Sequence, residues 1–319
     1  MITAGDVLEL LGAEPEPCGA ADRGTAIQRP ASLGTATSGS VTFCTAKAAD
    51  AAEKVRATEA SVVVVDDAVA DALADGPAVG SVVVRSANAR MDFMRVLSEF
   101  FASPPPEPGI HPTAAVAEGA RIAASAHIGA NCTIAADVTV GDGTVLHPGV
   151  HVQAGTRIGA RVTIHPGTVI GADGFGFERD ASGQLVRFPH VGGVVIEDGA
   201  EVGANVCIDR GAIEDTWIGP DVKIANLAQI AHNVRLGAET FVIVHAAMCG
   251  SSSTGERAWI APCACVRDHV HVGSDATVGL GAVVTSDVPD GATVVGNPGR
   301  DMATYRAMQA QLKKLAAGE

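Results

Sequence analysis

From residue 110 onward an aliphatic side chain returns at every sixth position: Ile110, Val116, Ile122, Ile128, Ile134, Val140, Leu146, Val152, Ile158, Ile164 and Ile170. The period resumes at Ile218 and runs through Ile224, Ile230, Leu236, Val242, Met248, Ile260, Val266, Val272 and Val278 to Val284, with Thr254 its single polar member. An α-helix repeats at 3.6 residues and a strand at two, so a strict six belongs to neither alone. A short strand followed by a turn does hold it. Three such units make a triangular coil of 18 residues, whose inward aliphatics stack on those of the next coil along one axis. Glycine often follows the periodic residue, as at Gly129, Gly141, Gly159, Gly219, Gly237 and Gly255, which predicts tight corners that use glycine's freedom in φ.

The register breaks twice. Ile170 to Ile196 spans 26 residues and contains Gly171-Ala-Asp-Gly-Phe-Gly-Phe177; Ile208 to Ile218 spans 10 and contains Asp209 to Thr216. Breaks in a regular solenoid are where function is inserted, and loops are expected at both. Ahead of the solenoid, residues 1–102 mix helical patterns (Val7 to Leu11, Met91 to Phe101) with a buried strand at Ser61 to Asp66, which predicts a small α/β domain. The run Ser103-Pro-Pro-Pro-Glu-Pro-Gly109 fixes φ and removes backbone donors, so 103–109 reads as an extended linker. The solenoid is expected over 110–298, ending near Gly296-Asn-Pro298. A helix over 299–319 would place Met302, Tyr305, Met308, Leu312 and Leu315 on one side and carry Arg306, Lys313 and Lys314, suited to meeting a partner.

Composition narrows the picture. Hydrophobic residues make up 47% of the 319, but aromatics only 3%, so the core must be filled by Val, Ile, Leu and Ala. A net charge of −14 opposes nucleic-acid binding, because a phosphate backbone needs a basic field. The N-terminus lacks a basic, then apolar, leader and no segment reaches spanning length, so a cytoplasmic protein without an integral membrane segment is expected. Seven scattered cysteines without a CxxC pair disfavour a disulfide framework or a structural zinc site.

The strongest candidate for chemistry is His232, in Gln229-Ile-Ala-His-Asn233, because an imidazole can take a proton from an amine or hydroxyl near neutral pH. One coil further on lies Gly250, whose backbone amide would stand about one strand spacing away, roughly 5 Å. A base beside an amide donor suits the tetrahedral intermediate of acyl transfer; the plainer alternative is a corner glycine beside a surface histidine. His269 lies two coils beyond His232 within one residue, with His245 and His271 nearby, but carboxylate or thiolate partners at ligand spacing are missing and no metal site is expected. The glycine-rich 171–177 stretch opens no helix and has no Lys-Ser/Thr, so it reads as a loop lining a groove rather than a phosphate loop.

Three motifs, Val169-Ile-Gly-Ala-Asp-Gly-Phe-Gly-Phe177, Ile208-Asp-Arg-Gly-Ala212 with Glu214-Asp-Thr216, and Gln229-Ile-Ala-His-Asn-Val234, make the chain resemble the UDP-3-O-(3-hydroxyacyl)glucosamine N-acyltransferases of the hexapeptide-repeat superfamily. The resemblance covers nearly the whole chain. It implies a mainly β fold: a left-handed parallel β-helix with a small N-terminal α/β domain for uridine recognition and a C-terminal helix. It also implies a homotrimer that acylates the amine of a UDP-linked amino sugar. In that family His232 would be the general base, Gly250 the oxyanion amide and His269 the second active-site histidine. Phe43 would stack on uracil, and Asp173, Phe175, Asp209, Arg210, Asn226, Gln229 and Asn233 would contact substrate. No cofactor is implied; the acyl donor is acyl carrier protein. The last coil, Gly279 to Pro298, instead resembles CoA-dependent sugar acetyltransferases, which leaves an acyl-CoA donor and another amine acceptor as the alternative. Repeats alone would also suit a non-catalytic scaffold.

Overall fold

The computed structural model describes residues 1–296 and 302–317. The chain divides into two compact units, Met1–Pro105 and Pro106–Glu319. In the first, four parallel strands, Arg29–Pro30, Ser40–Cys44, Val62–Asp66 and Val82–Ser86, lie side by side in chain order. Helices Ala4–Leu11, Ala51–Ala57, Asp67–Ala74 and Ala89–Phe100 accompany them. Val62 and Val64 join one apolar cluster while Val63 and Val65 join another. Helices cover both faces of the sheet, and a strand buried on both sides reads as an unbroken valine run. Asp66 ends its strand and caps the following helix, accepting Val69 N at 3.3 Å and Ala46 N at 2.7 Å.

The second unit is a left-handed parallel β-helix with three flat sides, sheets of ten, nine and eight strands among the described residues. Strands are two to four residues long, and each pairs with the strand one coil on, so that His127 faces Val145 and Val145 faces Thr163. The register survives both breaks. Thr163 pairs with Glu201 and Glu201 with Lys223, so the breaks are excursions of 20 and four residues on an otherwise continuous 18-residue coil. All periodic aliphatics from Ile128 onward are buried. A second, smaller set two residues before each of them, such as Ala126, Cys132, Val138, Thr144 and Val150, also faces inward. Thr254, the polar member of the array, is buried and meets the Thr240 hydroxyl at 3.0 Å, so its hydroxyl is satisfied inside the core. Each fully buried Ile or Leu contributes about 1.5–3 kcal/mol.

The corners work differently from the sequence expectation. Left-handed backbone falls three residues after the periodic aliphatic, at Asn131, Asp137, Arg161, Asn233, Ser251 and His269 among others, whereas Gly129, Gly141, Gly159, Gly219, Gly237 and Gly255 lie outside that region. These glycines answer a packing demand instead. A Cβ on Gly237 would lie 2.3 Å from the Gly255 carbonyl oxygen of the next coil. Close approach of successive coils, not freedom in φ, selects glycine there.

The strands end at Thr293–Val294 among the described residues; Asn297 and Pro298, where the solenoid was expected to end, lie outside them. The helix Met302–Ala317 carries Met302, Tyr305, Met308, Leu312 and Leu315, all exposed.

Candidate active site

Strand Gln229–Ile230 lies in the nine-stranded sheet with Ile230 buried, and the chain then turns towards the eight-stranded sheet. His232 occupies that corner and Asn233 follows in the left-handed region, φ 61°. The next coil repeats the corner. Ser251 N donates to His232 O at 2.9 Å, which stacks Gly250 directly on the imidazole: a Cβ at Gly250 would lie 2.7 Å from both Nε2 and Cε1 of His232. The Gly250 N–H finds no acceptor among the described residues.

Neighbouring backbone decides the protonation pattern of His232. The Asn233 amide is oriented at both ends, since Oδ1 accepts Ala212 N at 3.0 Å and Nδ2 donates to Glu214 O at 2.9 Å. His232 Nδ1 lies 3.1 Å from that same Oδ1, which can only accept. The proton of the neutral ring therefore sits on Nδ1, and Nε2 carries the free lone pair beside Gly250. The short break supplies this arrangement, because Ala212 and Glu214 both belong to it. Asn233, expected to touch substrate, has its amide engaged by the Ala212 and Glu214 backbone and by the His232 ring.

The long break folds as a hairpin, Phe177–Arg179 antiparallel to Leu185–Arg187, and returns through Phe188-Pro189-His190. His190 was not singled out from the sequence, yet it lies against His232 with ring centroids 5.2 Å apart at 71°. It is 8% exposed; Nδ1 lies 3.0 Å from Phe188 O, and Nε2 is buried without a partner among the described residues. Gly174 permits this packing, since a Cβ there would lie 2.9 Å from His190 Nε2 and from His232 Cδ2. The signal was a histidine inside the longer break, but no periodic count crosses a break to say where it lands.

Asp209 completes the group. Gln229 Nε2 donates to its Oδ2 at 3.0 Å, and burial raises its pKa above the usual carboxylate value, opposed by that hydrogen bond and by the His232 and His190 rings. Arg210 points away from it, donating from Nε to Gly192 O at 2.7 Å and from Nη2 to Ala154 O at 3.3 Å, so it staples the base of the long excursion. Asp215 does the same from the other side, accepting Gly193 N at 2.7 Å and pairing with Arg157 at 2.5 Å.

The remaining expected residues are dispersed. Asp173 pairs with Arg187 at 3.7 Å, and Phe175 is 85% exposed on the excursion, 5.3 Å from Phe177. His269 lies on the same corner as His232 but two coils on, exposed, with its amide donating to Gly250 O at 3.1 Å. Asn226 occupies the preceding corner of the coil, where its Oδ1 accepts Ala204 N at 2.7 Å in a recess shared with His165 and Glu201. The offset of six residues puts it on another edge of the prism. His245 shares that other edge, and His271 lies on the eight-stranded face bonded to Ser253. In the first unit, Phe43 stacks on Phe93 at 4.8 Å and lines a cavity of about 910 Å³ with Thr35, Thr45, Lys54 and Thr58.

Comparison with known proteins agrees with this architecture. Residues 137–172 match the bacterial transferase hexapeptide (six repeats). The UDP-N-acetylglucosamine O-acyltransferase of Moraxella catarrhalis shares the fold at a TM-score of 0.54 and 24% identity, over 65% of this chain and 81% of that one. The UDP-3-O-acylglucosamine N-acyltransferase of Coxiella burnetii is 34% identical over 268 residues, 78% of this chain and 76% of the relative. That of Bordetella pertussis is 35% identical over 284 residues, 81% of this chain and 78% of the relative. With the repeat, the corner histidine and both excursions in place, the chain belongs to the UDP-3-O-acylglucosamine N-acyltransferase family.

Proposed function

We propose that the protein transfers an acyl group from a thioester to the amine of a UDP-linked glucosamine, with His232 as general base. The observation that carries this reading is the free Nε2 lone pair of His232 set against Gly250, whose N–H has no acceptor among the described residues. The nucleophilic nitrogen attacks the thioester carbonyl as His232 Nε2 takes a proton from it. The Gly250 N–H receives the oxyanion, the C–S bond breaks, and the imidazolium returns its proton to the leaving thiolate. An amide and a free thiol result. The chain supplies both base and oxyanion donor, so the reaction needs no metal or redox cofactor.

Acyl carrier protein is the proposed donor. The helix Met302–Ala317 carries Arg306, Lys313 and Lys314 and no acidic residue, on a chain whose net charge is −14. A local basic face on an acidic protein suits an acidic partner. The cavity beside Phe43 is the proposed nucleotide subsite, and the exposed Phe241 and Trp259, 5.2 Å apart on the ten-stranded face, suit burial in a homotrimer. The alternative donor is acyl-CoA. Among the described residues no helix is long and apolar enough to cross a membrane.

The test is amide formation on UDP-3-O-acylglucosamine with acyl carrier protein and CoA thioesters in parallel. His232→Ala is expected to lose at least roughly 100-fold in kcat. Turnover within about threefold of wild type would remove His232 from the base role, and a preference for CoA would replace the donor.

A further inference from the structure

Converting an ammonium ion into an amide nitrogen removes two protons from nitrogen, whereas His232 returns to its starting state after handling one. The corner holds more proton-accepting capacity than that one base. His190 Nδ1 faces the Phe188 carbonyl at 3.0 Å, so the proton of the neutral ring is on Nδ1 and Nε2 is a bare acceptor. That Nε2 is buried beside Gly174 and His232 and has no hydrogen-bond partner among the described residues. A buried polar atom left unpaired inside a candidate active site points to a donor that arrives with the ligand. Asp209 adds an anion. Its Oδ2 holds Gln229, its Oδ1 has no protein donor among the described residues, and both imidazoles lie within electrostatic range of it. The nearby guanidiniums are engaged elsewhere: Arg187 with Asp173 and Gly174 O, Arg210 with Gly192 O and Ala154 O.

We infer that Asp209, His190 and His232 form a cradle of three acceptors that binds the acceptor amine as its ammonium ion, with His190 taking the first proton. An ammonium presents three N–H donors, matching one carboxylate oxygen and two bare imidazole nitrogens. A hydroxyl in the same place presents one. His190 Nε2 takes one proton and leaves the neutral amine, the resulting imidazolium being stabilised by Asp209. The amine attacks the thioester and loses its second proton to His232, which passes it to the thiolate. His190 releases its proton to solvent as product leaves. The sum is ammonium plus thioester giving amide, thiol and one proton. The inference rests on the proposed reaction and gives the charge state in which its acceptor binds.

The experiment compares calorimetric binding of UDP-3-O-acylglucosamine with that of its neutral analogue bearing a hydroxyl in place of the amine, alongside turnover. Wild type is expected to prefer the amine, and Asp209→Asn to reduce that preference at least about tenfold, the range of a charged hydrogen bond. His190→Gln keeps an acceptor but no base, so affinity should hold within about threefold while kcat falls at least about tenfold; His190→Leu should lose both. Melting temperatures of all variants separate these effects from misfolding. A wild type without amine preference, a preference that survives Asp209→Asn, or wild-type kcat in His190→Gln would overturn the inference. Loss of preference in Asp209→Asn without amide formation by wild type would instead keep the cradle and sink the proposed reaction.

Discussion

His232 Nδ1 lies 3.1 Å from Asn233 Oδ1, and this contact between sequence neighbours sets which imidazole nitrogen is free to act. The orientation is inherited from the short excursion, whose Ala212 N and Glu214 O hold the Asn233 amide in place. Such an arrangement does for His232 what a buried carboxylate does for the histidine of a serine-protease triad: it fixes the tautomer without taking the proton.

Removing that constraint has a defined consequence. Asn233→Gly suits the left-handed backbone at φ 61° while deleting the amide. We expect kcat to fall at least about tenfold, short of the roughly 10⁴-fold loss of an enforced wrong tautomer, with KM little changed. Nitrogen-15 chemical shifts of the His232 ring should move from a single Nδ1–H tautomer to a mixture. An unchanged tautomer would show that Asn233 does not set it.

Gly250 is constrained by the same ring. In Gly250→Ala the new Cβ would stand 2.7 Å from His232 Nε2, so the imidazole must move. A shift of about 1 Å at a reacting group costs on the order of 100-fold in rate. The expected result is a loss of kcat on that scale in a protein whose melting temperature barely changes, because the clash falls on a partly exposed side chain and leaves the inward aliphatics untouched. Full activity would mean that the ring retreats without losing its reach, and that the substrate nitrogen sits on its other side.

Asp209 gives a pH-dependent stability with a definite sign. Burial raises its folded pKa above the unfolded value of about 3.9. The folded state then binds this proton more tightly than the unfolded chain does. The resulting stability is fully present below about pH 3.9 and is lost as pH rises through the raised folded value. Asp209→Asn removes the ionisable group and keeps an acceptor for Gln229. It is therefore expected to melt higher than wild type at pH 7, with the difference closing as the pH is lowered towards 3.5. Scanning calorimetry at these two pH values checks it; a variant that melts lower at pH 7 would show that the carboxylate is stabilised in place by its surroundings.

Much of this molecule is legible along the chain because a solenoid turns sequence distance into spatial distance. Counting 18 residues from His232 reaches Gly250, and the structure stacks those two residues in contact. The same counting places His269 two coils away, and its one-residue offset puts it in the left-handed position of its corner, with its amide on Gly250 O. Asn226 is close to His232 in sequence but six residues is one full side of the prism, so it belongs to another edge. The role of the periodic glycines is hidden for a related reason: sequence shows their spacing, but the approach of the neighbouring coil's backbone is a property of the assembled stack.

Everything governed by the six-residue period can be read along the chain: the aliphatic interior, the 18-residue coil, the two interruptions and the juxtaposition of His232 with Gly250. What the interruptions do emerges only on folding. His190 reaches His232 through a hairpin with no periodic relation to the solenoid, and Asn233 becomes a tautomer-setting residue because Ala212 and Glu214 arrive from a four-residue excursion one coil earlier. A periodic stack repeats one local geometry, so position along the chain suffices to place its residues. An excursion is placed by the hydrogen bonds and packing it finds on folding, and those contacts leave no period to count.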